Sequence, residues 1–428
     1  MSRTSAGLEP SAVIAPRAVW SWALYDFANS PFTTLVITFV YATYFTQAIA
    51  SDPIQGTALW SRGVTITALI VAFASPVLGA VADRGGYRKL FLVIATVVCA
   101  GTTAALYGVL PGEVTAALVL VVIANVAYEF GGVFYNAFLP DIAPRERIGA
   151  VSGWGWGLGY IGGLLALAVA LVTLVQPEIP WFGFSREAGE NVRATNLLVA
   201  LWFLIFSVPL VLWVHEDKTR VSPRGRIARE AYGQLRRTLA EIRKHRQTVR
   251  FLVARLIYND GLVTIFAFGG IYAAETFGFE LEEVLLFGIV INLFAGAGAI
   301  AMGYLDDWIG AKRTIVISLF GLIAATLVAV SAADKAWLWV AGIFIGIFSG
   351  PNQAASRSLM GRFVPAGMQN EFFGFFAFSG KLTAFLGPFL LGLLTQLSGS
   401  QRVGVSVVIA LFIIGLVLLL RVDEEARA

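Results

Sequence analysis

The fold of this chain is indicated by a short stretch that occurs twice, as GAVADRGGYRK at residues 79–89 and as GYLDDWIGAKR at residues 303–313. The two copies align without a gap and share a glycine, an acid, a second glycine and a basic pair. Each copy follows the second long apolar run in its half of the chain. The repeat predicts two structural halves that have the same orientation.

The amino-acid composition excludes a soluble globular protein. Of the 428 residues, 57% are hydrophobic and 14% are charged, whereas soluble domains carry about 25% charged residues. Continuous apolar runs of about 20 residues can cross a bilayer as helices, and they lack the alternation of a membrane β-barrel. We predict an all-α polytopic membrane protein with twelve transmembrane helices, near Trp20–Gln47, Trp60–Ala82, Leu90–Gly108, Val114–Leu139, Gly149–Val175, Ala194–Val214, Val249–Thr276, Val284–Gly303, Thr314–Val330, Trp337–Ser356, Asn370–Leu397 and Val403–Leu420.

The predicted helices form two sets of six around one hydrophilic segment. The expected organisation is an N-terminal six-helix half at residues 1–214, a basic cytoplasmic linker at 215–248 and a C-terminal six-helix half at 249–428. The stretch before Trp20 has too few apolar residues for a signal peptide. With the N-terminus inside, the inner loops carry 24 Lys and Arg residues against 5 in the outer loops. Both termini are therefore expected to be cytoplasmic.

The linker itself is strongly basic and contains a predicted helix. Residues 215–250 hold eleven Lys or Arg residues and four acids. The apolar residues of this segment recur at helical spacing, which predicts an amphipathic helix on the anionic inner leaflet with membrane lipids as its partner; these residues are Ile227, Ala231, Leu235, Leu239 and Ile242. Because membrane spans flank the segment, we do not expect nucleic acid to be its ligand.

Polar and charged residues inside the predicted spans are the candidate binding residues. Ionisable groups at membrane depth cost about 2.5–3.5 kcal/mol on insertion scales, so each of them indicates function. They recur on one side of the first, fourth, seventh and tenth spans, and one lies in the eleventh. The candidates for substrate binding or coupling are Asp26, Asn29, Asn125, Tyr128, Glu129, Asn259, Asp260, Asn352, Gln353 and Lys381.

Lys381 and Glu129 are the charged candidates of greatest interest. An ammonium group near the bilayer midplane needs a carboxylate, and Asp26, Glu129 and Asp260 are the available partners of Lys381. The alternative to a binding role is an ion pair that only joins two helices. Both histidines, His215 and His245, lie in the linker. Proton coupling would therefore use a carboxylate, and Glu129 is the favoured one.

These motifs resemble those of a known transporter superfamily. The stretch at 79–89 resembles the loop between the second and third helices of the major facilitator superfamily, and YDFANSPF at 25–32 resembles the first helix of its vacuolar amino-acid effluxer branch, which has bacterial members. YNDG at 258–261, SRS at 356–358, EFFG at 371–374 and GP at 387–388 are also similar to that branch. The resemblance implies a central cavity lined by the first, fourth, seventh and tenth helices.

The resemblance also implies a mechanical role for the two repeated loops. They would lock neighbouring helix ends together and release them as the two halves move; the residues concerned are Gly79, Asp83, Arg84, Gly86, Arg88, Lys89, Gly303, Asp307, Gly310, Lys312 and Arg313. Their alternative role is turn formation and positive charge on the inner side. Trp308 stands where the first copy has Arg84, which predicts a less charged second loop.

The sequence therefore predicts a secondary transporter in the bacterial inner membrane rather than an enzyme. Amino acids or similar zwitterions are the favoured solutes, proton coupling is compatible with the carboxylates, and a monomer is expected. A drug or metabolite exporter of the same fold is the alternative, and a channel or receptor is the alternative of another class. No catalytic residue, metal site or cofactor is expected, because a nucleophile–base pair is lacking and Cys99 is the single cysteine.

The predicted orientation can be checked with topology reporters. A reporter fused after Val214 or after Arg421 should be active in the cytoplasm, and one inserted near Gly189 should be active outside, because the loops rich in Lys and Arg remain inside. Alkaline phosphatase and green fluorescent protein fusions measure the two outcomes. An external reading for the linker would contradict both the charge count and the two-half organisation.

Overall fold

The computed structural model describes residues 16–216 and 226–424, and nearly all of this part is helical. We number the membrane helices α1 to α12. Their bounds are Pro16–Pro31 (α1), Pro53–Gly85 (α2), Arg88–Ala105 (α3), Val114–Asn136 (α4), Ile148–Ala170 (α5), Glu190–Trp213 (α6), Arg246–Phe277 (α7), Leu281–Ile309 (α8), Ala311–Ser331 (α9), Lys335–Phe363 (α10), Gln369–Lys381 with Leu386–Ser398 (α11a and α11b) and Gln401–Leu420 (α12).

Within the described ranges, eleven helices are long and apolar enough to cross a membrane. The tenth predicted span forms a helix of 29 residues, α10, but this helix is not among the eleven. Its second half is polar, with Asn352, Gln353, Ser356 and Arg357 in less than two turns. Polar side chains in that stretch lower the mean hydropathy of a helix that the rest of the fold surrounds.

Two membrane helices depart from regular α-helix at prolines. α1 ends at Pro31, and the chain continues as a π-helical stretch at Phe32–Phe39. α11 is divided into α11a and α11b, and Pro388 lies in the first turn of α11b. Proline has no N–H and clashes with the carbonyl four residues earlier, so it is best tolerated at the start of a helix. Pro388 therefore places the interruption just after Lys381.

The hydrophobic cores follow the two sets of helices. One cluster of buried residues runs from Val19 to Val214, and a second lies almost entirely between Phe251 and Val422. Large apolar side chains such as Phe73, Leu212 and Phe389 remain exposed on the outside of the bundle. In a membrane these side chains contact lipid. We call α1–α6 the first half and α7–α12 the second half.

Small residues allow helices of opposite halves to approach closely. A Cβ atom at Gly153 of α5 would lie 2.4 Å from the carbonyl oxygen of Ala299 in α8, and one at Gly303 would lie 2.9 Å from that of Gly149. Both positions therefore need glycine for backbone contact. The sequence GLGYIG at 157–162 likewise serves helix packing, since a Cβ at Gly162 would lie 2.4 Å from the carbonyl oxygen of Phe27 in α1.

The linker contains a helix at Ile227–Ala240, which we call the linker helix. Its apolar residues Ile227 and Ala231 are 7% and 2% exposed, and the helix contacts α2. The apolar side therefore faces protein, and any contact with the leaflet involves the basic side. The side chains of Leu239 and Ile242 and residues 217–225 of the predicted linker lie outside the described part. We call the side of the bundle that carries this helix the linker face and the opposite side the far face.

Candidate functional site

A buried ion pair joins the two halves at α1 and α10. Arg357 Nη1 lies 2.8 Å from Asp26 Oδ2, and the two side chains are 4% and 15% exposed. The guanidinium group also donates to the side chain of Asn136 and to the hydroxyl and carbonyl oxygens of Ser152. It lies 4.7 Å from the centre of the Trp22 ring. These acceptors around Arg357 offset the cost of burying its charge.

Sequence reasoning missed Arg357 as a site residue. The predicted tenth span ends at Ser356, which leaves Arg357 in a loop, whereas α10 continues to Phe363. The signal that could have found it is the SRS stretch at 356–358, where a basic residue follows a polar helix face. Asp26, which sequence reasoning did single out, is the carboxylate that it binds.

A second ion pair lies between the halves at the middle of the bundle. Lys381 Nζ lies 2.6 Å from Glu129 Oε1, and the side chains are 32% and 21% exposed. Glu129 belongs to α4, and Lys381 is the last residue of α11a. Of the three carboxylates predicted as partners of Lys381, Glu129 is the one that binds it. Lys381 is much more exposed than Arg357, whereas Glu129 is only slightly more exposed than Asp26.

The residues around Lys381 stabilise the interruption of α11. Asp260 is 1% exposed, and its Oδ2 accepts a hydrogen bond of 2.9 Å from the backbone N–H of Gly387 at the start of α11b. Asn259 donates to the carbonyl oxygen of Gly380, and Arg255 Nη1 donates to that of Phe376. Asp260 thus satisfies a free N–H at the start of α11b and Asn259 a free carbonyl at the end of α11a, while Arg255 bonds to a carbonyl one turn earlier.

The structure gives three of the candidates specific contacts with neighbouring helices. Asp260 is a helix cap instead of a partner of Lys381. Asn352 is fully buried, and its Nδ2 donates to Ser318 of α9, so it lies outside the central space. Gln353 donates to the hydroxyl of Tyr160 in α5. A side chain on a polar helix face can bond to a neighbouring helix as readily as it can line a cavity, and the periodicity is the same in both cases.

The other predicted residues remain near the centre. Asn29 and Asn125 are each 7% exposed, on α1 and α4. The ring of Tyr128 lies 5.1 Å from that of Phe32, just after Pro31. Of the candidates on α1 and α4, Glu129 forms the ion pair with Lys381, at 2.6 Å.

The acids of the two repeated loops bind helix ends of the opposite half. Asp83, near the end of α2, accepts hydrogen bonds of 3.0 and 2.9 Å from the backbone N–H groups of Asn370 and Glu371 in α11a. Asp307, near the end of α8, accepts bonds of 2.7 and 2.9 Å from the N–H groups of Gly149 and Ala150 in α5. The two contacts are related by the internal repeat. Each places a negative charge at the positive end of a helix.

Glycines of the loops allow these contacts. A Cβ at Gly79 would lie 2.3 Å from the carbonyl oxygen of Asn370, so α11a rests directly on α2. Gly86 and Gly310 have φ values of 61° and 96°, which L-residues with a side chain rarely adopt. They turn the chain sharply from α2 into α3 and from α8 into α9.

Each half also closes its own loop with an acid that follows its sixth helix. Glu216 accepts from the backbone N–H of Arg88 at the start of α3, and Glu424 accepts from the N–H groups of Ala311 and Lys312 at the start of α9. The side chain of Lys89 donates to the carbonyl oxygen of Val214. These contacts hold the repeated loop of each half against the end of the sixth helix of that half.

The sequence predicts a less charged second loop, but the contacts around that loop do not lack charged groups. In the first half, the basic residue that forms an ion pair beside the loop is Arg88, which pairs with Asp141. In the second half, Arg362 at the end of α10 lies 2.7 Å from Asp306 and 2.9 Å from Glu424. The charge that the loop lacks at Trp308 is thus supplied by another helix, which local sequence comparison could not show.

In the described part of the chain, the hydrogen bonds and ion pairs that join the halves lie between the linker face and the level of Lys381. The halves are therefore held together at the linker face. A bundle of two repeated six-helix halves, closed at one face and with a solvent-accessible ion pair at its middle, has the architecture of a major facilitator transporter.

The comparisons with known proteins assign the family. The chain belongs to the family described as "Vacuole effluxer Atg22 like", whose model matches residues 53–148 and 143–427. It is 29% identical to the "Uncharacterized MFS-type transporter YxiO" of Bacillus subtilis (strain 168), over 95% of this chain and 94% of that protein. It is 22% identical to "Autophagy-related protein 22-1" of Neosartorya fischeri, over 86% of this chain and 74% of that protein.

Solved structures confirm the fold. The chain is similar to the proton:xylose symporter XylE with a TM-score of 0.73 and 13% identity, covering 94% of both chains. It is similar to the human organic anion transporter MFSD10 with a TM-score of 0.72 and 14% identity, covering 95% of this chain and 100% of that one. The protein is thus an integral membrane protein and a secondary transporter of the major facilitator superfamily, and it is not an enzyme.

The contact of Asp83 with α11a can be tested by replacement with asparagine. Asp83→Asn removes the charge that binds two N–H groups of the opposite half, at a cost of about 1 kcal/mol, so the open linker face should become about fivefold more populated. Ser75 of α2 is fully buried beside Gly374 of α11a. In a background of Ser75→Cys with Cys99→Ala, the introduced thiol should then react about fivefold faster with a maleimide.

The matched control is Asp52→Asn in the same background. Asp52 caps the start of its own helix, α2, with a bond of 2.8 Å from the N–H of Gln55 at the far face. The same chemical change there should leave the reaction of the introduced thiol unchanged, because no contact between the halves is lost. Equal reaction rates in the two variants would show that Asp83 does not hold the halves together.

Proposed function

We propose that this protein transports an amino acid or a similar zwitterion, and that the pair of Glu129 and Lys381 binds it. The observation that carries the proposal is the 2.6 Å contact between these side chains at the middle of the bundle, with about a fifth and a third of their surfaces exposed. A substrate with an ammonium and a carboxylate group can replace both partners at once. Each protein charge then keeps an opposite charge beside it.

The second ion pair supports this assignment by contrast. Asp26 and Arg357 are more deeply buried, and Arg357 already has three further acceptors. Replacing one of its partners would leave a buried charge unpaired, which costs about 3–5 kcal/mol. We therefore assign Asp26 and Arg357 to holding α1 and α10 together while the linker face is closed, and Glu129 and Lys381 to the substrate.

The repeated loops would supply the movement. In our proposal, Asp83 and Asp307 release the helices α11a and α5 when the linker face opens, and the far face closes in turn. The contacts at each acid are a few hydrogen bonds to helix ends, whose strength is about 1–2 kcal/mol each, so they can break and re-form during a cycle. The remaining loop residues Arg88, Lys89 and Lys312 keep each loop attached to its own half.

Proton coupling would run through Glu129. When Glu129 takes up a proton, its attraction for Lys381 is lost, and Lys381 becomes available to the substrate carboxylate. A single carboxylate would thus link proton binding to substrate binding, without a histidine in the spans. The linker face is proposed to be cytoplasmic in a bacterial inner membrane, because it carries most of the Lys and Arg residues.

A charge exchange separates a binding role of the pair from a structural one. In Glu129→Lys with Lys381→Glu, the ion pair can re-form, but a zwitterion would meet its charges in reversed positions. We expect thermal stability close to that of the wild type and loss of amino-acid exchange, measured as counterflow of a mixture of labelled amino acids in proteoliposomes. With the wild type, amines and acids that lack one of the two charges should compete at least about tenfold more weakly than amino acids.

The control is the same exchange at Glu283 and Lys335. These residues form an ion pair of 2.6 Å near the far face within the second half, and their side chains are 37% and 42% exposed. Counterflow should be retained there. Full counterflow in the exchanged Glu129 and Lys381 variant would mean that the pair only joins helices. Competition by hydrophobic drugs without competition by amino acids would favour the exporter.

Coupling is tested by Glu129→Gln. Glutamine keeps the shape and the hydrogen bonds, so counterflow should persist, with weaker binding of the substrate. Accumulation driven by a proton gradient should be lost, since no titratable group remains at that position. Glu113→Gln changes an exposed residue just before the same helix, whose side chain accepts from the N–H of Leu110, and it should retain both activities.

Two outcomes would contradict this role of Glu129. Loss of counterflow together with accumulation would mean that binding or folding itself needs the charge of Glu129, so that no separate coupling role is left for it. Retention of both would assign coupling to Asp26 or Asp260, or show that protons are not the driving ion.

A further inference from the structure

A strongly basic cavity lies at the linker face, outside the proposed substrate site. It has a volume of about 500 Å³ and lies between the end of α2 and the linker helix. Its lining residues are Arg84, Arg226, Arg229, Glu230, Gly233 and Arg237. Four guanidinium groups and one carboxylate thus face one space.

The linker residues of the cavity share one side of their helix. Their spacings of three, four and four residues place Arg226, Arg229, Gly233 and Arg237 in a row along it. Gly233 leaves room in this row, since nothing lies within 4 Å of the place where its Cβ would be. Among the described residues, no ion pair joins any of the four arginines to a carboxylate.

The chemistry of these groups suits a phosphate. Guanidinium groups bind phosphate oxygens through pairs of parallel N–H donors, and several of them together favour a dianion or a phosphodiester over a chloride ion. An anion in the cavity would also reduce the repulsion between four like charges that are close together.

The cavity adjoins the contacts that close the linker face. Arg84 follows Asp83, which binds the start of α11a. On another side of the linker helix, the buried Gln234 donates a hydrogen bond to the carboxylate of Glu371, also in α11a. The linker helix therefore touches both halves at this point. An anion that bound Arg84 and the linker arginines together would fasten the helix across the closed face.

We propose that this cavity binds a phosphate-bearing anion, and that the bound anion favours the state in which the linker face is closed. The phosphate could belong to an anionic lipid of the adjacent leaflet or to a soluble compound. The proposal is independent of the transported solute, since none of the cavity residues lies near Glu129 and Lys381 along the helices.

The experiment uses the purified full chain in an uncharged detergent. Short-chain phosphatidylglycerol, short-chain phosphatidylcholine and inorganic phosphate are titrated separately, and binding is measured from the midpoint of thermal unfolding. Closure is measured from the maleimide reaction of the thiol introduced by Ser75→Cys, with Cys99→Ala. We expect a phosphate-bearing probe with net negative charge to raise the midpoint and to slow this reaction, and phosphatidylcholine to do neither.

Matched variants locate the effect in the cavity. Arg229→Gln and Arg237→Gln should each weaken the apparent affinity for the anion about fivefold. Arg236→Gln removes the same charge from the same helix, but Arg236 does not line the cavity. The affinity of this variant for the anion should therefore stay within about twofold of that of the wild type.

The possible results distinguish the sources of the phosphate. A response to phosphatidylglycerol alone identifies a lipid site, and a response to inorganic phosphate alone identifies a site for a soluble compound. A response to both identifies a site that recognises the phosphate itself. Absence of any response, an equal loss in Arg236→Gln, or binding that leaves the reaction of the introduced thiol unchanged would overturn the proposal.

Discussion

Carboxylates that bind the first N–H groups of another helix hold this transporter in its observed state. The first backbone N–H groups of a helix have no partner within the helix, and where the helix end packs against protein another element must supply the acceptor. Asp83 and Asp307 satisfy these groups at α11a and α5 across the two halves, whereas Glu216 and Glu424 do so at α3 and α9 within each half. A carboxylate suits this position because it accepts two bonds and carries the charge that the helix end attracts.

The same constraint explains why α11 can be interrupted at the middle of the membrane. Once Pro388 starts a new helical segment, the N–H of Gly387 needs an acceptor, and Asp260 provides it from α7. At the end of α11a, Asn259 donates to the free carbonyl oxygen of Gly380. The interruption leaves Lys381 at a helix end, where its ammonium group can extend toward Glu129.

The two ion pairs between the halves differ in the way that their charges are satisfied. Arg357 has many acceptors and little exposure, so separating it from Asp26 would leave a costly buried charge. Lys381 and Glu129 are partly exposed, and in our proposal a solute takes the place of either partner. In our proposal, the strong pairing of Asp26 with Arg357 helps to keep the linker face closed, while the exchangeable pairing of Lys381 with Glu129 lets the central site take up its ligand.

The sequence by itself determined the membrane class, the two six-helix halves, the repeated loops and the polar sides of α1 and α4, because hydrophobic periodicity and internal repeats are local properties of the chain. It also placed Glu129 among the three carboxylates that could pair with Lys381, but it could not show which of the three does. The pairing of Asp26 with Arg357, the capping role of Asp260 and the contact of Asn352 with Ser318 were decided by the tertiary structure. These contacts join residues of different helices, and a polar side chain has the same periodicity whether it faces a cavity or a neighbouring helix.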